Sequence, residues 1–393
     1  MNPAFAQYFA QYPKETAPFM HKQLAEWSQS RPLQGLRVVH HVPLFGNTLL
    51  KIACLVEAGA EVVVTNPSSL CKADPEAIHC LRTAGIRYEE NLESLKGESF
   101  DLYFDCGAEL YQALGAPKMG AIELTGSGDL WYRANKLSFP VYSIDRSLTK
   151  QLETVFGCAQ SSKTALQQLT GIDPTTQPWI IFGFGKIGRG LAYFCKQNNV
   201  PVVVVDIDPH QRKLATDLGI KAIDPHHRFA LKEAVQQAAI VITATGKANA
   251  MSVYPCEWFK EKTLANLGIY DEFGPNFSSS EVLNGKRAIN FILKDPTPMQ
   301  FIDPEFYIHN LVALSVVGKP LPPEVHDITL GLDWEVIELW CTLHQFSLEE
   351  IKTWFISRED LNAQVSAKKT PSSLEQTGEN PANDVTINSP TAS

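Results

Sequence analysis

Nowhere in this chain do about 18 apolar residues follow one another without interruption, so the sequence offers no segment built to cross a membrane. Nor does it hold a dense group of Lys and Arg: 34 basic residues stand against 43 acidic ones, for a formal charge of −9. That balance argues against nucleic acid or an anionic membrane surface as a partner, since nonspecific attraction to either comes from clustered positive charge. The opening residues 1–15 lack a basic segment followed by a long apolar core, and no secretory signal is expected. The eight cysteines, at 54, 71, 80, 106, 158, 195, 256 and 341, show no CxxC pair and no histidine spacing suited to zinc. Reduced thiols, a cytoplasmic location and no bound metal are therefore the expectation.

What remains is the composition of an ordinary globular protein, 44% apolar and 20% charged, with 393 residues to divide among two or three domains. Its most informative stretch is 179–206. An apolar strand runs into Gly183-x-Gly185-x-x-Gly188, a helix follows, and a second strand ends on Asp206. Strand, turn, helix and terminal acid in that order make a dinucleotide-binding βαβ unit. Gly183 permits the tight turn, Gly185 lets backbone approach a pyrophosphate, and Gly188 lets the helix pack on the sheet. The amides of the helix start, through Lys186 and Ile187, face the phosphates. Asp206 is placed to accept from ribose hydroxyls and to repel a 2′-phosphate, which favours NAD over NADP as cofactor.

The rest reads as α/β with parallel sheets. Strand patterns at 36–42, 61–65, 86–88, 100–105 and 120–124 alternate with helical ones and imply a first α/β domain over 1–155. A second Rossmann-like domain, with further strands at 239–246, 263–268 and 288–293, spans 156–300. Residues 301–362 read as C-terminal helices, rich in Trp, that need a surface to cover. Residues 363–393 turn to Ser, Thr, Pro, Asn and Gln and are expected to be a disordered tail.

Two such domains joined by FPVYSIDRSLTKQLETVFGC (139–158), with LVEAGAEV (55–62), GFGKIGRG (183–190), ITATG (242–246) and Ala265-Asn266-Leu267-Gly268, resemble the S-adenosylhomocysteine hydrolases from about residue 35 to 293. The resemblance implies tightly held NAD and a cycle in which a ribose hydroxyl is oxidised, thiol is eliminated, water is added and the ketone is reduced. It implies a small-molecule substrate, a homo-oligomer, and Thr245, Gly246 and Asn266 near the nicotinamide ribose. On the substrate side the match departs. The family's catalytic Asp falls on Cys106, with Asp105 one place early, and Leu124 follows Glu123 where a second acid belongs. Glu153 and Thr154 stand for an Asp-Asn pair, and Lys150 is displaced by one residue, a slip that turns a helical side chain by about 100°. Pro43 and Ile269 replace family histidines, and neither the family's late closing loop nor its Lys- and Tyr-ending tail is recognisable.

The catalytic candidates are accordingly Asp105, Cys106, Lys150, Glu153 and Thr154. Each has a plainer alternative. Asp105 and Glu109 bind a hydroxyl or a cation, or cap a helix. Cys106 is an activated nucleophile or inert packing. Lys150 and Glu153 form a catalytic pair or a surface ion pair. His40 and His41 serve acid–base chemistry at a strand end or are hydrogen-bonded structural residues. The sequence thus points to an NAD-binding protein of this hydrolase type that oxidises a hydroxyl on a different small molecule. Its rivals are a catalytically silent paralogue acting through subunit association and a true adenosylhomocysteinase with relocated groups.

Overall fold

Twelve strands, most of them short apolar runs, lie among residues 1–357, the part of the chain that the computed structural model describes. They are β1 (Arg37–His41), β2 (Glu61–Thr65), β3 (Arg87–Tyr88), β4 (Leu102–Asp105), β5 (Gly120–Glu123), β6 (Val141–Ser143), β7 (Trp179–Phe182), β8 (Val202–Val205), β9 (Lys221–Ile223), β10 (Ile240–Thr243), β11 (Thr263–Asn266) and β12 (Val325–Asp327). Every ladder is parallel. Parallel strands carry helices on both faces, which is why their sequences are apolar throughout rather than alternating. β7 is buried along its whole length.

The first sheet has the order β12-β6-β5-β4-β1-β2-β3 and the second β11-β10-β7-β8-β9. In each, the chain reverses its direction of growth beside the first strand laid down, at β1/β4 and at β7/β10. Ligands of open α/β sheets bind outside the carboxyl ends of the strands at such points. One apolar core, including Val38, Phe104, Val155, Ile181, Leu191 and Trp340, runs through both sheets, and Met1–Phe355 pack as a single unit.

Two elements differ from the sequence reading. Residues 288–293 contain no strand: Ala288 makes one isolated bridge to Asn266, and Ile289–Ile292 is a short 3-10 turn. Asn284, Gly285 and Lys286 just before it all take positive φ, so the chain enters already curled. Conversely, the stretch after residue 301, read as mostly helical, contains β12, which pairs with β6 and completes the first sheet. The helices there divide between two surfaces: Leu348–Trp354 packs on the helix Lys186–Gln197, where the Tyr193 and Trp354 rings meet, and the first of them covers the first sheet. Helix Met299–Leu311 lies along it, with His309 Nε2 3.1 Å from the Ile122 carbonyl. The carboxylate of Asp303 accepts from the amides of Phe19 and Met20 at the start of helix Pro18–Ser30. No described helix is long and apolar enough to cross a membrane. The tail expected over 363–393 lies outside the described residues.

Candidate functional site

At the end of β7 the chain turns through Gly183 at φ 98°, a backbone conformation that a side chain would strain. A Cβ on Gly188 would lie 1.9 Å from the Gly183 carbonyl oxygen, so the helix Lys186–Gln197 can approach the turn only with glycine there. In front of Gly185 the opposite holds. A Cβ there would meet nothing within 4 Å, which leaves the backbone open to a ligand at the helix N-terminus. Asp206, one residue past β8, accepts from the amides of Phe184 (2.7 Å) and Asp208 (2.9 Å), and its burial raises its pKa. The acid is thereby fixed beside the turn, and each oxygen keeps a lone pair for a further donor. Turn, open approach and fixed acid fit a dinucleotide.

Lys186 does something the sequence did not indicate. Its ammonium donates to the carboxylate of Asp145 at 2.6 Å and to the Asp145 carbonyl at 2.9 Å, tying the nucleotide turn to the segment that follows β6 of the first sheet. Asp145 is held below the usual carboxylate range: burial opposes its charge, and Lys186, Lys150 and Arg146 together outweigh burial. Ile187 packs partly against the core. Arg189 anchors the same helix from its buried side by donating to the carbonyl of Phe355 at 3.0 Å.

Thr245 and Gly246 follow β10, and their amides donate to one carboxylate, that of Glu272, at 2.9 and 2.7 Å. Asn266, at the end of β11, is fully buried. Its oxygen accepts from Thr243 Oγ1 and the Gly268 amide, and its nitrogen reaches the carbonyls of Gly268, Tyr270 (2.7 Å) and Lys286 (2.6 Å). Both amide ends are thus engaged within the protein. Glu272 and Asn266 together brace the two loops on this side of the sheet.

The five catalytic candidates fall into two internal networks. Asp105, fully buried, accepts from the amides of Cys106 and Leu110 and from the Tyr132 hydroxyl at 2.6 Å. Burial first, then the carboxylates of Glu123 and Asp105, push the Cys106 thiol well above its ordinary pKa, the reverse of what a nucleophile needs. In the connecting helix, Lys150 stands 3.3 Å from Glu153 and 3.1 Å from Glu305. Burial opposes the charge of Lys150, but Glu153, Glu305 and Asp145 together outweigh it and hold its pKa well above normal. Thr154 donates back to the Lys150 carbonyl. Leu152–Gly157 winds as a π-helix, with the Cys158 amide bonded to the Glu153 carbonyl, so spacing here does not translate into side-chain direction by α-helical arithmetic.

At the β1/β4 reversal the structure assembles a different group. His41 Nδ1 lies 2.7 Å from Thr65 Oγ1, its Nε2 is 3.0 Å from Glu109, and the other oxygen of Glu109 accepts from Ser69 at 2.5 Å. The hydrogen bond to His41 holds the half-buried Glu109 below the usual carboxylate range. His41 and Glu109 were separate possibilities in the sequence, and Ser69 carried no signal at all. His40, on the opposite face of β1, is fully buried instead, with Phe104 and His309. All eight cysteines are free thiols, and no set of three potential metal ligands converges among the described residues.

Comparison with known proteins bears on both halves. Residues 154–274, which include the Gly183–Gly188 turn, match the family model for the S-adenosyl-L-homocysteine hydrolase NAD-binding domain, which gives NAD as the cofactor. S-inosyl-L-homocysteine hydrolase of Methanopyrus kandleri is 25% identical over 375 residues, covering 83% of this chain and 87% of that protein. Adenosylhomocysteinase of Thermotoga maritima is 26% identical over 373 residues, covering 82% and 90%. The S-inosyl-L-homocysteine hydrolase of Methanocaldococcus jannaschii is 22% identical over 390 residues, covering 87% and 92%.

Proposed function

Since the chain is a divergent member of the S-adenosyl-L-homocysteine hydrolase family, we propose that it uses bound NAD to oxidise a hydroxyl of a small molecule other than S-adenosylhomocysteine, in the cleft between its two sheets. The observation that supports this reading is the contrast between a glycine turn with an open approach and a fixed acid, as a dinucleotide needs, and a first sheet whose polar residues depart from the family's pattern. The backbone of Gly183, Gly185, Ile187 and Gly188 would hold the pyrophosphate, and Asp206 the adenosine ribose. Bound there, NAD supplies a hydride acceptor. The chain's own contribution is a proton path. Ser69 faces solvent, Glu109 carries the negative charge, and His41 behind it accepts or returns the proton, with Thr65 fixing the imidazole.

A catalytically silent, NAD-binding protein acting through subunit association is the second reading, favoured by the internal saturation of Asp105. Native mass spectrometry of the purified chain should show retained NAD, and its absence, with no binding on titration, removes both readings. A panel of hydroxylated small molecules followed at the NADH absorbance should separate them, since turnover leaves only the first. Homocysteine release from S-adenosyl- and S-inosyl-homocysteine should be absent. Light scattering in solution should find a homo-oligomer, as the family resemblance implies.

A further inference from the structure

The cleft contains a pocket that none of the above assigns. It opens at the carboxyl end of β11, with a volume of about 230 Å³. One wall is the Ser69–Leu70 turn after β2, and the other is built by the loops Gly268–Asp271 and Gly285–Ala288. Its position relative to the dinucleotide follows from strand order. Asp206 draws the adenosine half toward β8, and β10 and β11 lie on the other side of β7. The reactive half of the dinucleotide therefore extends toward the pocket.

Its lining has three chemically distinct parts. Ile269 and Tyr270 stand 53% and 47% exposed, an unusual investment of apolar surface at a turn between two sheets. Lys286 and Asp271 neutralise each other at 3.1 Å. Arg287 is exposed, and its guanidinium has no hydrogen bond or ion pair among the described residues, which leaves one uncompensated positive charge at the rim. Opposite, Ser69 leads to Glu109 and His41. The loops are preset rather than slack: Asn266 holds the carbonyls of Tyr270 and Lys286 together with a single amide. The volume is below the roughly 300 Å³ at which sites for drug-sized ligands begin, so the occupant is small.

Resting on the function proposed above, we infer that this pocket is the substrate subsite, and that the substrate is a small hydroxylated molecule carrying an anionic group, a carboxylate or a phosphate. The anion pairs with Arg287, the apolar part lies on Ile269 and Tyr270, and the hydroxyl points to Ser69.

Three unreactive probes test this on the full chain saturated with NAD, which keeps them off the pyrophosphate site: phenyl phosphate, phenylacetate and the neutral tertiary alcohol 2-phenyl-2-propanol, none of which has a carbinol hydrogen to transfer. Titrations followed by ligand-observed NMR should show at least one anion binding more tightly than the alcohol, and which one identifies the group. Arg287→Met should weaken that anion about tenfold, the loss expected for one charge-assisted contact, with the alcohol unchanged and Arg287→Lys intermediate. Tyr270→Ala should weaken all three. Anions binding no better than the alcohol, or Arg287→Met leaving the anion unaffected or weakening every probe equally, overturns the subsite. Native mass spectrometry on the same samples keeps the two proposals apart. Retained NAD with no Arg287 effect sinks the subsite alone, whereas failure to bind NAD sinks the reading beneath it.

Discussion

Lys51 is fully buried, its ammonium nitrogen 4.3 Å from the centre of the Phe104 ring and without a hydrogen-bond partner among the described residues. A ring face does not replace lost hydration, so burial drives the Lys51 pKa far down, as it does for His40 and His309 nearby. In the folded state burial favours the neutral form of all three, and unfolding lets them take up protons more readily. The unfolded chain therefore binds more protons and stability rises with pH. The imidazoles withdraw support as pH falls below their ordinary 6.5, and Lys51 opposes folding up to its ordinary 10.5. Lys51→Met should accordingly stabilise the protein near pH 7 by about 1–3 kcal/mol and flatten the rise of Tm between about pH 7 and pH 9. Calorimetry across that range checks both. Nothing in the sequence marked this lysine, because an isolated Lys within an apolar helix pattern is indistinguishable from one that reaches solvent.

At the scale of elements, the loops after β10 and β11 depend on two side chains. Asn266→Asp keeps shape and volume but turns a donor shared by three carbonyls into an acceptor facing them. It should cost about 3 kcal/mol and speed amide exchange over 268–288, read by hydrogen–deuterium exchange. Gly188→Ala should drive a methyl against the Gly183 carbonyl, cost about 2 kcal/mol and abolish NAD retention in native mass spectrometry. The glycine turn was legible because each position obeys a local steric rule. Asn266 was legible as important but not for its partners, since a strand-end amide can face a ligand or its own loops and only the fold decides. Lys150 was obscured for another reason: the π turn changes how many residues make one revolution.

For the whole molecule, the sequence carried the class of fold, two parallel sheets, because apolar runs alternating with helices leave few other solutions. It did not carry β12. Three residues, Val325-His326-Asp327, have no periodicity to read, and their partner β6 lies about 180 positions earlier. Arg133 fastens that strand by pairing with Asp327 while also holding Asp129. A chain ending at Lys319 would lose β12 and the helix Leu330–His344, whose Trp340 is fully buried. It should expose the β6 edge and bind 8-anilinonaphthalenesulfonate strongly, whereas the full chain should not.

During synthesis, then, the ribosome delivers the last edge of the earlier sheet only after all five strands of the later one have emerged. Until then the earlier sheet has one flank unpaired, and the helix of the glycine turn likewise awaits Phe355, whose carbonyl its Arg189 holds.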